Sequence, residues 1–135
     1  MVKNALEQAK SSYPQHNIII TGHSMGAGIA ALCAPNLHDM GINTTLYTYG
    51  QPRGGNKAFA NWVDTNMPNT YRVTYKDDGI CQIPQAAKGY QHHKTEYWVT
   101  DPSSAANTFT CEGQEDKVSC LSRGVRYQLL TPYAQ

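Results

Sequence analysis

The sequence predicts an α/β fold built around a mostly parallel sheet. Runs of β-branched and aromatic residues at 18–21, 45–49 and 71–75 alternate with two stretches of helical periodicity. This strand–helix–strand–helix–strand order favours parallel strands joined by crossover helices. A chain of 135 residues has room for a single domain, so two independent cores are excluded.

Charge and hydropathy exclude two classes of function. The 11 Lys and Arg residues balance 10 Asp and Glu residues, the formal net charge is +1, and the basic residues form no long run. A protein that binds nucleic acid through charge alone is therefore not expected. No apolar stretch approaches the ~20 residues of a membrane span, so we expect a soluble chain.

The first two elements follow from residue spacing. Apolar residues at 2, 5, 6, 9 and 13 form the stripe of an amphipathic helix over residues 2–13, which Pro14 ends. The run 18–21 (Ile-Ile-Ile-Thr) is apolar without alternation, a pattern typical of a central strand buried on both faces.

A glycine turn at 22–26 leads from this strand into a second helix. The larger apolar residues of that helix recur at helical spacing: Ile29, Leu32, Cys33, Leu37 and Met40. We expect Cys33 to be a buried thiol on the core face. Pro35 removes a backbone hydrogen bond, which predicts a bend near Ala31.

The later elements are a strand at 45–49, a helix opening near Asn56 and a strand at 71–75 with an exit turn at 76–79. Beyond Pro84 the pattern changes to strand and loop, with residues 96–99 the clearest strand. No internal repeat or low-complexity segment interrupts the chain.

The run 22–26 (Gly-His-Ser-Met-Gly) fits the G-x-S-x-G pattern between a predicted strand and a predicted helix. In that context a serine occupies a strained turn, and glycine neighbours let a substrate carbonyl approach its Oγ. The backbone N–H of Met25 can donate to the oxyanion that forms on the carbonyl. The alternative is a glycine-rich turn in which Ser24 merely caps the helix.

A nucleophilic serine requires a base and an acid that orients the base. Asp77 and Asp78 follow the strand at 71–75, the place where such an acid lies when the chain order is Ser, Asp, His. The alternative for adjacent aspartates before a glycine is an ordinary turn.

The sequence resembles the fungal class 3 lipase family, which includes type A feruloyl esterases. The matching motifs run in family order: IITGHSMGA (19–27), YGQPRGGN (49–56), RVT with DGI (72–80), IP (83–84) and GYQH with EYW (89–98). The resemblance implies an α/β-hydrolase fold, with Ser24 as nucleophile, Met25 in the oxyanion hole and Asp78 as triad acid. Asp78 is preferred over Asp77 because the family's D-x-[IV]-x-x-[LI]-P pattern falls on residues 78–84.

The resemblance further implies a secreted enzyme that acts on lipid or other small esters through an acyl-serine, with possible contact at a lipid interface and neither cofactor nor metal. The family's N-terminal strands, its lid and the Ser or Thr that completes its oxyanion hole have no counterpart here. No histidine follows His93, and Leu129 stands where the family's base is expected. The chain therefore resembles one partial domain over 1–135, divergent after about residue 121.

Several polar residues outside these motifs need separate interpretation. The adjacent His92 and His93 could bind zinc, but no third metal ligand stands nearby, so a zinc site is not expected. Either could replace the missing base only if the chain reversed toward Ser24, so this role is not expected either. Cys111 and Cys120 bracket a polar loop that reads as a disulfide-closed hairpin, whereas Cys81 has no evident partner. Asn43 begins an N-glycosylation sequon, which matters only in a secreted protein.

Three functional hypotheses follow. The first is a carboxylic-ester hydrolase of the lipase or feruloyl esterase type. The second is a catalytically inactive, truncated remnant that lacks the triad histidine. The third is a module that binds lipids or esters without turnover.

Overall fold

The computed structural model describes residues 2–114. The helices are α1 (Val2–Ser12), α2 (Met25–Asp39) and α3 (Lys57–Asn66). The strands are β1 (Ile18–His23), β2 (Thr44–Tyr49), β3 (Gly55–Asn56), β4 (Thr70–Tyr75), β5 (Tyr90–Gln91), β6 (Glu96–Val99) and β7 (Thr108–Cys111). Short 3₁₀ turns cover Gly79–Gln82, Ala86–Lys88 and Ala105–Asn107. The partner cysteine of the expected hairpin, Cys120, and the divergent tail with Leu129 lie outside the described residues.

The main sheet of the described chain has the order β1-β2-β4-β6-β7. The first four strands are parallel and β7 runs antiparallel to β6, which confirms the predicted α/β fold with a mostly parallel sheet. The prediction that β1 is central and buried on both faces is wrong for the described chain. It lies at the sheet edge, and Ile19 is 62% exposed because α2 covers only the opposite face.

Helix α2 packs on the sheet through its small residues. Ala30, Ala31 and Ala34 lie in the core with Leu46 of β2, and α3 adds Val63. The apolar residues that recur at helical spacing do not all mark the core face, because Ile29 and Leu32 of α2 and Met40 just after it are exposed. Cys33 is half-buried rather than buried. Alanines occupy the face of α2 that packs on the sheet, because small side chains let the helix axis approach the sheet more closely than branched side chains allow.

Helix α2 continues through Pro35 as one element, and the bend near Ala31 stays a prediction. Helix α1 forms as expected, but its apolar stripe is largely uncovered, with Tyr13 60% exposed. No helix within residues 2–114 is long and apolar enough to cross a membrane.

The face of the sheet that lies away from α2 carries a row of tyrosines. The rings of Tyr47 and Tyr71 stack with centroids 4.8 Å apart, and Tyr97 follows at 5.9 Å from Tyr71. These side chains belong to β2, β4 and β6 and are only half-buried. Cross-strand aromatic pairs of this kind help to fix the register between neighbouring strands.

A fully buried ion pair joins β4 to β6 on the helix-covered face. Arg72 and Glu96 are register partners, with Arg72 Nη1 3.7 Å from Glu96 Oε1 and neither side chain exposed. The hydroxyl of Thr74 donates to the same carboxylate oxygen at 2.6 Å. Taking two charges out of water is costly, so this pair tolerates loss of both charges better than loss of one.

Glu96→Leu is expected to lower the free energy of unfolding by about 3–5 kcal/mol, because it leaves the Arg72 charge buried without its carboxylate. The double variant Arg72→Met/Glu96→Leu is expected to lie within about 1 kcal/mol of the wild type. Urea unfolding followed by tryptophan fluorescence measures both. A double variant as unstable as the single one would contradict the explanation by an uncompensated charge.

Candidate active site

Ser24 lies at the carboxyl end of β1, where the chain turns into α2. Its backbone has φ 55° and ψ −124°, a conformation that non-glycine residues rarely adopt. Its N–H donates to the carbonyl of Tyr49 on β2 at 2.9 Å. The side chain makes no capping hydrogen bond to α2, so the alternative of a serine that merely caps the helix is not supported, and the hydroxyl is available for chemistry.

The two glycines of the turn, Gly22 and Gly26, differ in the space available for a side chain. A Cβ on Gly22 would lie 2.3 Å from the carbonyl oxygen of Gly26, so a side chain cannot fit while the turn stays closed. A Cβ on Gly26 would meet nothing within 4 Å. Gly22 is therefore required by the fold, whereas the space around Gly26 would accept a side chain.

Met25 occupies the first position of α2, where a backbone N–H has no partner within the helix. Partial positive charge accumulates at this end of a helix, which favours a developing anion. The Met25 side chain is 76% exposed and does not cover the turn.

Asp78 lies at the same edge of the sheet, in the turn that follows β4. Its Oδ1 accepts a hydrogen bond from the N–H of Ile80 at 2.9 Å. Its Oδ2 lies so close to Gly50, at the end of β2, that a Cβ there would be 2.8 Å away. Ser24 and Asp78 thus flank the carboxyl end of β2, whereas Asp77 is exposed. The structure places Asp78, the expected acid, at the end of β2, the strand to which Ser24 is hydrogen-bonded.

The turn that carries Asp78 is held by buried groups that the sequence did not reveal as functional. The guanidinium of Arg53 donates to the carbonyls of Gln82 and, at 2.9 Å, of Pro84. His92 Nε2 donates to the carbonyl of Cys81 at 2.8 Å. Arg53 and His92 stand within the family-like motifs at 49–56 and 89–98, but those motifs do not indicate that either residue holds the turn after β4.

Cys81 itself is free, as expected, and its thiol donates to Asp78 Oδ2 at 3.7 Å. Burial, with a contribution from the Asp78 charge, raises the pKa of the Cys81 thiol to about 12. The thiol therefore stays protonated and acts as a weak donor to the carboxylate rather than as a nucleophile.

An open cleft of about 440 Å³ borders Ser24. Its lining is mainly apolar and includes exposed residues from α2 and from the turn after β4. The principal apolar residues are Met25, Ile29, Leu32, Pro52, Ile80 and Ile83. Ser24 therefore stands beside a surface suited to an apolar group.

His92 and His93 are each 1% exposed and neither lines the cleft. The ring of His93 donates from Nδ1 to the carbonyl of Lys94 at 2.7 Å, which leaves Nε2 to accept from the amide of Gln51 at 3.1 Å. Burial and the nearby Arg72 charge lower the pKa of His92 well below its ordinary value and that of His93 to about 4. Both rings are neutral at pH 7.

His23 is exposed, and its ring lies near Gly50, on the side where Asp78 Oδ2 also approaches. Within residues 2–114, no group of three His, Cys, Asp or Glu residues is placed to hold a metal ion.

The sequence and the fold are both similar to those of known lipases. The family model for lipase (class 3) matches residues 1–88. Secreted mono- and diacylglycerol lipase 1 of Fusarium solani is 41% identical over 98 residues, which cover 73% of this chain and 29% of the relative. This chain spans about a third of the length of the curated relatives it matches.

Solved structures agree with the sequence comparison. A mutant form of MDLA from Penicillium cyclopium superposes with a TM-score of 0.86 and 28% identity over 94% of this chain and 48% of that one. A triacylglycerol lipase described as having a serine protease triad at its catalytic centre gives a TM-score of 0.75 and 32% identity, covering 90% and 50% of the two chains.

The two glycines of the turn offer a matched pair of substitutions. Gly22→Ala is expected to lower the free energy of unfolding by about 3 kcal/mol, because the new methyl group meets backbone atoms that cannot move independently. Gly26→Ala is expected to be neutral or to stabilise by up to about 1 kcal/mol, because alanine favours the first turn of a helix. Thermal unfolding by circular dichroism measures both, and equal losses would argue against the close approach of Gly22 to Gly26.

His93 is expected to make the protein less stable in mild acid. Its folded pKa of about 4 lies below the ordinary 6.5 of an unfolded chain, so the unfolded state binds more protons below pH 6.5. Stability is therefore lost as the pH falls from 6.5 toward 4, by roughly 2 kcal/mol for this ring between pH 7 and pH 5. Urea titrations of the wild type and of His93→Gln isolate the effect, since the variant should show a pH dependence that is smaller by this amount.

Proposed function

The chain belongs to the class 3 lipase family, and we propose that it carries the nucleophile and the acid of a carboxylic-ester hydrolase. Ser24 is the nucleophile, Asp78 is the acid and the Met25 N–H is one oxyanion donor. The observation that carries the proposal is the backbone of Ser24, whose strained conformation presents an uncapped hydroxyl at the edge of an apolar cleft.

In the proposed reaction, Ser24 Oγ attacks the ester carbonyl while a base takes its proton. The carbonyl oxygen becomes an anion, and the N–H of Met25 at the start of α2 donates to it. One such donor typically contributes about 3 kcal/mol to the stability of the transition state. As the intermediate collapses to an acyl-serine, the base returns the proton to the leaving alcohol; the same base then takes a proton from water, which attacks the acyl group, and gives it to Ser24 Oγ as the carboxylic acid is released.

Asp78 supports this reaction by orienting the base and by stabilising its charged form. Its carboxylate is fixed before any substrate binds, since Ile80, Cys81 and the groups that hold the turn all restrain it. Such preorganisation is what makes an electrostatic contribution to catalysis large.

The substrate that fits best is an ester with an apolar acyl chain. The cleft beside Ser24 has few polar groups, and the exposed Met25, Ile29 and Ile83 at its rim suit contact with a lipid surface. The secreted mono- and diacylglycerol lipases among its relatives support this choice. Because these relatives are secreted, we propose that this protein is secreted as well. An aromatic acyl group, as in a feruloyl ester, is the alternative substrate.

A specific observation favours a second candidate, binding of lipid or ester without turnover. His92 and His93 are buried and do not line the cleft beside Ser24, and they hydrogen-bond to Cys81, Lys94 and Gln51. The apolar cleft alone is sufficient for binding.

Labelling with a fluorophosphonate probe and hydrolysis of p-nitrophenyl butyrate test the proposal on the 135-residue chain. The probe is expected to label the wild type and not Ser24→Ala, and ester turnover should vanish in the same variant. Asp78→Asn should lower kcat by two or more orders of magnitude, as expected when the base loses its orienting acid. Asp77→Asn is the matched control and should leave the rate unchanged.

The outcomes separate the candidates. Labelling of Ser24 without turnover would favour the binding module. Equal labelling of the wild type and Ser24→Ala would reject the nucleophile, and equal loss of activity in the two aspartate variants would reject the specific role of Asp78.

A further inference from the structure

We propose that Asn43 carries an N-linked glycan when the chain passes through a eukaryotic secretory pathway. Asn43-Thr44-Thr45 is the single N-x-[ST] sequon of the sequence. Relatives of the chain include secreted lipases of Fusarium and Penicillium, so exposure to the glycosylation machinery is a realistic condition. The inference does not depend on the proposed hydrolysis.

The fold displays Asn43 on a well-defined turn between α2 and β2. Gly41 adopts φ +76°, and the N–H of Ile42 donates to the carbonyl of Leu37 at 2.9 Å, which closes the end of the helix. Ile42 is 8% exposed and fixes the turn to the core, whereas the next residue, Asn43, is exposed. Because the Asn43 side chain is exposed, a glycan there extends into solvent.

The position of Asn43 also keeps a glycan away from the cleft. Asn43 precedes the first residue of β2, and Ser24 follows the last residue of β1, which is parallel to β2 and paired with it over six residues. At about 3.3 Å per residue, the two sites lie roughly 20 Å apart along the strands. A bulky hydrophilic group can thus occupy one end of the sheet while apolar substrate approaches the other.

The chemistry is transfer from a polyprenyl-diphosphate oligosaccharide. The Asn43 Nδ2 forms a bond to C1 of the first sugar, the bond between C1 and the diphosphate oxygen breaks, and the lipid diphosphate leaves with its electron pair. The amide gives up one proton and stays an amide. The hydroxyl of Thr45 completes the acceptor sequence.

Translation with microsomes tests the proposal. The full 135-residue chain receives a signal peptide and a C-terminal tag with its own sequon, and only chains whose tag is glycosylated are scored, because they have entered the lumen. The wild type is expected to show one additional glycan that a peptide N-glycosidase removes. Peptide mass spectrometry should then find Asn43 converted to Asp. Asn43→Gln and Thr45→Ala should lose this glycan, and the matched variant Thr45→Ser should keep it.

A tag-glycosylated chain that carries no sugar at Asn43 would overturn the proposal. Loss of the glycan in Thr45→Ser to the same extent as in Thr45→Ala would also contradict it, since serine preserves the acceptor sequence. For secreted protein, removal of the sugar by the glycosidase without denaturation is expected, because the turn at Asn43 faces solvent.

Discussion

The backbone of Ser24 is the constraint on which the arrangement of the site depends. A residue at φ 55° and ψ −124° costs of order 1–3 kcal/mol and persists only where its surroundings determine it. Here they do so from two sides: Gly22 closes against the carbonyl of Gly26, and the N–H of Ser24 is bound by Tyr49. The alanine face of α2 packs on the sheet, and the helix begins directly after Ser24.

Features that depend on neighbouring residues could be predicted from the sequence. The three helices, the strands β1, β2, β4 and β6 and the glycine turn at Ser24 follow from local spacing and turn chemistry, and the structure has them. The strands β3, β5 and β7 were not predicted. Burial could not be predicted as well, because it depends on elements distant in the sequence. The run that contains Ile19 has the composition of a two-sided buried strand, yet the described chain covers one side only.

The supporting residues of the site escaped prediction for another reason. Arg53 and His92 donate to backbone carbonyls of the turn after β4. Because every residue has a backbone carbonyl, the sequence does not show which residues accept these hydrogen bonds. The choice of Asp78 over Asp77 needed a family pattern, because the two side chains are chemically identical. Asp78 lies close to Gly50 in the structure, and this proximity depends on the pairing of β2 with β4, which are distant in the sequence.

The hydrogen bond between Ser24 and Tyr49 bears on the order in which the site forms during folding. This hydrogen bond forms within the unit of β1, α2 and β2. The position of Asp78 also depends on β4 and on the buried His92. Contacts between segments near in sequence form faster than distant ones, because less chain entropy is lost on closure. We therefore expect the serine turn to be an early product of folding, present while the polypeptide that completes the acid side is still being synthesised.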